Sequence, residues 1–148
     1  MLGYNYRLSD ISAALGLSQL TKLKKFVKIR NQLAKNYNNL IMKMPVKRQK
    51  IDKNNISSYH LYIILLDLKK IKKNYNQIFS SLRKKGILIN LHYLPVHLQP
   101  YFKKLGFKKG NFPVSEDYSS RAISLPIYPD LKFEKQKKII KILKKIIS

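Results

Sequence analysis

The sequence predicts an α/β fold: a small two-layer domain in which helices cover a short sheet, with long helices ahead of it. Three observations predict it. Apolar residues recur at helical spacing through most of the first forty residues, residues 57–66 alternate as a strand, and helical patterns and short apolar runs then take turns to the C-terminus.

Taken in order, Ser9 is a good N-cap for a first helix. Asp10 complements its positive end, and Ile11, Ala14, Leu15 and Leu17 carry the apolar pattern. That helix is apolar on more than one side and needs cover from elsewhere; Gly16 inside it costs about 1 kcal/mol relative to Ala, a cost tolerated where another backbone approaches. From Leu20 the pattern Leu23, Val27, Leu33, Ala34, Tyr37 and Leu40 extends a long amphipathic helix, bent after Gly16 and stopped by Pro45. Lys47 to Asn55 reads as an exposed connection.

Ser57 to Leu66 is the clearest strand, apolar on both faces and therefore central. A helix follows with Ile71, Tyr75, Ile78, Phe79 and Leu82 on one face, and Gly86 sits where a left-handed cap belongs. Ile87-Leu88-Ile89 reads as a short strand that delivers residues 90–97 as a loop, the usual place for binding groups. Pro100 and Gly106 bracket a helical turn, and Pro113 starts a short helix through Ala122. Ile123-Ser124-Leu125 is expected as an edge strand. Asp130 is expected to cap a final helix whose Phe133, Ile139, Ile140, Leu143 and Ile147 face the core.

The formal net charge is +24, with seven acids and no cysteine. Disulfides and thiolate metal sites are therefore excluded. No apolar run approaches the roughly 18 residues of a membrane span and no basic-then-apolar signal core opens the chain, so a soluble, cytoplasmic protein without a membrane partner is expected. A charge this positive invites a nucleic-acid reading. Only five of the cations are arginines, however, and the lysines spread over nearly every segment, so most read as a solvated surface without specific nucleic-acid recognition.

Three ordered blocks carry a resemblance. The first is Gly3-Tyr4-Asn5-Tyr6-Arg7, followed by Ser9-Asp10-Ile11 and Ala13-Ala14-Leu15-Gly16-Leu17-Ser18-Gln19-Leu20. The second is His92-Tyr93-Leu94-Pro95-Val96-His97-Leu98-Gln99-Pro100-Tyr101. The third joins Phe112-Pro113-Val114-Ser115-Glu116 to Ala122-Ile123-Ser124-Leu125-Pro126-Ile127-Tyr128-Pro129. Together they resemble the C-terminal portion of the DegT-type (DegT/DnrJ/StrS) pyridoxal-phosphate-dependent nucleotide-sugar aminotransferases. The resemblance implies the small C-terminal two-layer α/β domain of a fold-type I aminotransferase over residues 46–148. Residues 1–45 become an interdomain and dimer-interface segment of long helices.

The resemblance also implies roles. The residue matching Asn5 contacts the cofactor phosphate of a neighbouring subunit in a homodimer, while Tyr6 and Arg7 line the site. His92, Tyr93 and His97 line the nucleotide-sugar side, where imidazole and phenol groups meet sugar hydroxyls or a diphosphate. Read without it, Asn5 shapes a turn and Arg7 pairs with Asp10. His60, alternating within an apolar strand, reads as a core histidine. Two histidines without a neighbouring Cys or carboxylate ligand make a poor zinc site, so no metal is expected. No lysine lies in a sequence context that marks it as desolvated, so no catalytic residue is expected in this chain; the resemblance implies that the Schiff-base lysine belongs to a large domain outside it.

The expected function is thus that of a C-terminal fragment, inactive alone. Its parent would transfer an amino group from an amino-acid donor such as glutamate to a nucleotide-linked keto-sugar, with pyridoxal phosphate, in polysaccharide or glycan precursor biosynthesis. Two alternatives stay open: a small basic nucleic-acid-binding module, and a non-catalytic partner of a separately encoded large-domain chain.

Overall fold

The computed structural model describes residues 6–148. Its sheet has three antiparallel strands in the order β1-β2-β3: Val46–Arg48, Tyr62–Leu66 and Ala122–Leu125. Val46 faces Leu66 in the first pair and Tyr62 faces Leu125 in the second. Six helices accompany it: α1 (Asp10–Leu20), α2 (Leu23–Leu40), α3 (Tyr75–Lys84), α4 (Pro100–Lys104), α5 (Pro113–Arg121) and α6 (Phe133–Ile147). A 3₁₀ turn, Val96–Leu98, precedes α4.

The core lies where α2, α3 and α6 meet the sheet. Tyr62, Ile64 and Leu66 are buried on β2, and Leu33, Ala34 and Tyr37 of α2, Ile78 and Leu82 of α3, and Ile140 and Leu143 of α6 close over them. The second half of α2 therefore shares its core with the residues after 46. Polar groups lock the layers together. Gln136, fully buried, donates from Nε2 to the Leu33 carbonyl at 2.9 Å and accepts from Asn36 at 3.1 Å, and the Tyr37 hydroxyl donates to the Pro126 carbonyl at 2.9 Å. A buried polar group satisfied in this way avoids its desolvation penalty.

Several expectations are corrected. The first two helices are separate, broken at Thr21-Lys22 and not bent at Gly16. Thr21 Oγ1 donates to the Ser18 carbonyl at 2.7 Å, and the Lys22 N–H turns back to Gln19. β2 starts at Tyr62, not Ser57, because Tyr59 has φ 45° and the carbonyls of Tyr59 and His60 accept from the Arg30 guanidinium. His60 is exposed, not a core residue. β1, Val46–Arg48, overlaps the start of the Lys47 to Asn55 stretch expected as a connection.

Ile87–Ile89 forms no strand. The Ile89 N–H bonds to the Ile87 carbonyl at 2.9 Å, and only Asn90 bridges to Ser124 of β3. α3 begins after Ile71, where Asn74 and Gln77 make a reciprocal capping box. α6 is preceded by Lys132, not capped by Asp130, and Phe133 lies outside the core under Lys137. The expected Ser9 N-cap and the left-handed Gly86, φ 75°, are both present.

Candidate functional site

The loop after Ile89 is fastened to β3 twice. The Asn90 carbonyl accepts the Ser124 N–H at 2.9 Å, and His92 Nδ1 lies 2.6 Å from Ser124 Oγ. Ser124 is buried, since all four residues of β3 are. It pairs with Ile63 of β2, on the face of the sheet opposite the core residues Ile123 and Leu125. The His92–Tyr93 peptide bond is cis, and the two rings meet edge to face at 4.7 Å. Tyr93 is 71% exposed, so a phenol and an imidazole stand together at the surface.

His97 departs from the expectation that it lines the same face. It is 7% exposed, its Nε2 lies 2.8 Å from Glu116 Oε1, and its ring packs 4.8 Å from Phe112. Glu116 stands in the first turn of α5, where the helix dipole favours a carboxylate. It also accepts the Gly110 N–H at 2.8 and 3.0 Å and the Phe112 N–H at 3.4 Å. Desolvation pushes the Glu116 carboxyl up, but the hydrogen bonds from His97, Gly110 and Phe112 outweigh it and hold the carboxyl below its ordinary range. His97 thus clamps the α4–α5 hairpin. Phe102, Phe107 and Phe112 extend that hairpin around a cleft of about 320 Å³.

Tyr6, 87% exposed, and Arg7, also exposed, lie just ahead of α1; Asn5 lies outside the described residues. Arg7 makes no ion pair with Asp10. The ion pairs among the described residues are Lys70–Asp67, His97–Glu116, Arg121–Asp117 and Lys137–Glu134. No residue of α1 is buried, and nothing lies within 4 Å of where a Gly16 side chain would start. No backbone among the described residues approaches Gly16, contrary to the expected close approach.

Every one of the 26 lysines is exposed, spread over β1, α2, α3, α4, α6 and the turns between. An imine-forming lysine needs a desolvated or cation-flanked amine to react near neutral pH. The described residues thus do not by themselves fit pyridoxal phosphate, and no step through it is derived. Among them no group of three His, Cys, Asp or Glu could hold a metal ion, and no helix is long and apolar enough to cross a membrane. A groove of about 560 Å³, floored by Ile87, Leu131 and Ile142 and rimmed by Lys85, Lys135 and Lys138, shares no residue with the 90–97 loop.

Sequence reasoning missed Ser124 and Glu116 as site-building residues. Glu116 was legible as an acid just inside a proline-started helix, the position where a carboxylate can hold the preceding turn. Ser124 carried one signal, a lone hydroxyl within an apolar strand.

Comparison with known proteins places these residues in a wider frame. The model of the DegT/DnrJ/EryC1/StrS aminotransferase family matches residues 1–144. An uncharacterized protein of Methanocaldococcus jannaschii is 35% identical across 99% of this chain and 38% of its own length. The spore coat polysaccharide biosynthesis protein SpsC of Bacillus subtilis is 30% identical, with the same two shares. Among solved structures, Helicobacter pylori PseC, an aminotransferase involved in the biosynthesis of pseudoaminic acid, superposes with a TM-score of 0.88. The match is 32% identical and covers 99% of this chain and 39% of PseC. Spr1654 of Streptococcus pneumoniae, in its PLP form, gives 0.87 at 29% identity over 95% of this chain and 36% of its own. The chain therefore spans little more than a third of the length of the proteins it matches.

Proposed function

The chain belongs to the DegT/DnrJ/EryC1/StrS aminotransferase family, and we propose that it is the C-terminal portion of a sugar aminotransferase that works with pyridoxal phosphate. The parent enzyme moves an amino group from an amino-acid donor, glutamate by the resemblance drawn above, to a nucleotide-linked keto-sugar. Its product feeds polysaccharide or glycan precursor synthesis in the cytoplasm. Pyridoxal phosphate supplies the electron sink in such reactions. The protein's part is to bind and orient.

One observation carries this reading: the family match runs through nearly the whole chain, yet the chain spans 38% of its relatives and buries no lysine. The imine-forming lysine then comes from the large domain, and the isolated chain is inactive. Residues 1–45 reach the large domain and the second subunit of a homodimer through α1, which buries none of its own residues here. Residues 46–148 are the small domain. Asn5 is assigned to the cofactor phosphate of the neighbouring subunit, with Tyr6 and Arg7 lining the site. His92 and Tyr93 are assigned to the nucleotide-sugar side, and His97 supports their loop through Glu116.

The test is complementation. The chain is co-expressed with the N-terminal portion of a full-length relative, and the purified material is examined for both polypeptides and for bound-cofactor absorbance. Co-purification with restored absorbance supports the proposal. A monodisperse monomer that ignores the large domain overturns it.

A further inference from the structure

Ser124 and His92 form a pair whose chemistry the assigned roles leave unused. The Ser124 hydroxyl carries one proton, and its one hydrogen bond among the described residues is the 2.6 Å contact to His92 Nδ1. Ser124 is buried and its hydroxyl has no other hydrogen-bond partner among the described residues, so its proton is satisfied only where it points to Nδ1. A neutral imidazole that accepts at Nδ1 carries its own proton at Nε2. His92 Nε2 makes no hydrogen bond among the described residues and is not buried there, so that N–H faces outward. The Tyr93 ring edge and the Asn90–Ser124 backbone bond hold the imidazole in this pose.

We infer that Ser124 is a positioning residue that locks His92 as the Nε2–H tautomer, so that a neutral imidazole presents a fixed donor to an oxyanion, the diphosphate of the nucleotide-linked substrate. The other tautomer would offer that oxyanion a lone pair and repel it. The inference rests on the proposed function only for the identity of the oxyanion. The tautomer itself is readable in the chain without any activity.

The experiment uses the full chain with ring-¹⁵N histidine at a pH where imidazole is neutral, and correlates ring nitrogens with ring protons to find which nitrogen is protonated. His60, exposed and with no hydrogen bond to its imidazole among the described residues, serves as the averaged reference. His92 is expected with its proton on Nε2, and Ser124→Ala is expected to move its nitrogen shifts toward those of His60. A proton on Nδ1 in the unmodified chain overturns the inference, and that spectrum decides even if Ser124→Ala does not fold. Titration with inorganic pyrophosphate is expected to move His92 Nε2 more than His60. The apparent Kd should rise in Ser124→Ala by the inverse of the fraction of Nε2–H tautomer that the nitrogen shifts of the variant report. Equal responses of the two histidines, or an unchanged Kd in a folded Ser124→Ala, also overturn it. Loss of the tautomer lock with complementation intact would remove this inference alone.

Discussion

His97 Nε2 lies 2.8 Å from Glu116 Oε1, so the histidine closing the 92–97 loop is held by the first turn of α5. The same carboxylate takes the Gly110 and Phe112 N–H groups, which makes it the fastening of the whole α4–α5 hairpin. Its pKa is depressed in the folded chain, so its contribution is complete above the ordinary carboxylate range. That contribution is lost as pH falls through the folded value. Melting temperature followed from neutral pH downward is expected to fall more steeply in the unmodified chain than in Glu116→Gln. Parallel curves would show that Glu116 is not linked to folding.

At the alkaline end, burial pushes the phenols of Tyr37 and Tyr62 well above their ordinary value. A raised folded pKa contributes stability that is complete below the unfolded value, about 10, and lost as pH rises through the folded one. Denaturant unfolding above that pH is expected to show declining stability. Tyr37→Phe should cost about 1 kcal/mol near neutral pH, through the lost bond to Pro126, and reduce the alkaline decline.

Arg30 Nη1 donates to the carbonyls of Tyr59, His60 and Ile127 at 3.0, 3.2 and 3.1 Å. The two Nη1 protons are shared among these three carbonyls, and a lysine keeps the charge but its Nζ ends one bond short of the guanidinium Nη1 that reaches them. Arg30→Lys is therefore expected to destabilise by about 1 to 3 kcal/mol in chemical unfolding. An effect within about 0.5 kcal/mol, the scale of an ordinary surface change, would deny the guanidinium this role.

How far the sequence could be read follows from the kind of interaction. Periodicity located α2, α3 and α6 and the central β2, because the core set by Tyr37, Ile64, Ile78 and Leu143 repeats at each element's own period. It failed at Ser57–Leu61, where Arg30 and Asn31 take the backbone carbonyls in place of a neighbouring strand, and at Ile87–Ile89, where the Ile89 carbonyl accepts from Arg83 and the Ile87 carbonyl from the Ile89 N–H. Short β1 was lost among lysines. In the site, the 90–97 loop was legible from its residue types, whereas the inward turn of His97 depends on Glu116, 19 residues away.

Ile11 and Leu15 are exposed on a helix that buries nothing. In the isolated chain, Ile11→Glu with Leu15→Glu is expected to change stability by no more than about 0.5 kcal/mol for each site. In the complemented enzyme the same pair should prevent assembly, read by sedimentation. Normal assembly of the double variant would remove α1 from the proposed interface.

The central claim is that this chain is one portion of an aminotransferase and cannot act alone. The direct measurement mixes purified chain, pyridoxal phosphate, glutamate and a keto-sugar nucleotide, and quantifies amino sugar against a protein-free control. A parallel reaction contains the large-domain polypeptide. The account predicts amino sugar at the control level for the chain alone and turnover when the large domain is present. Turnover by the chain alone that a single Lys→Ala change abolishes would contradict it.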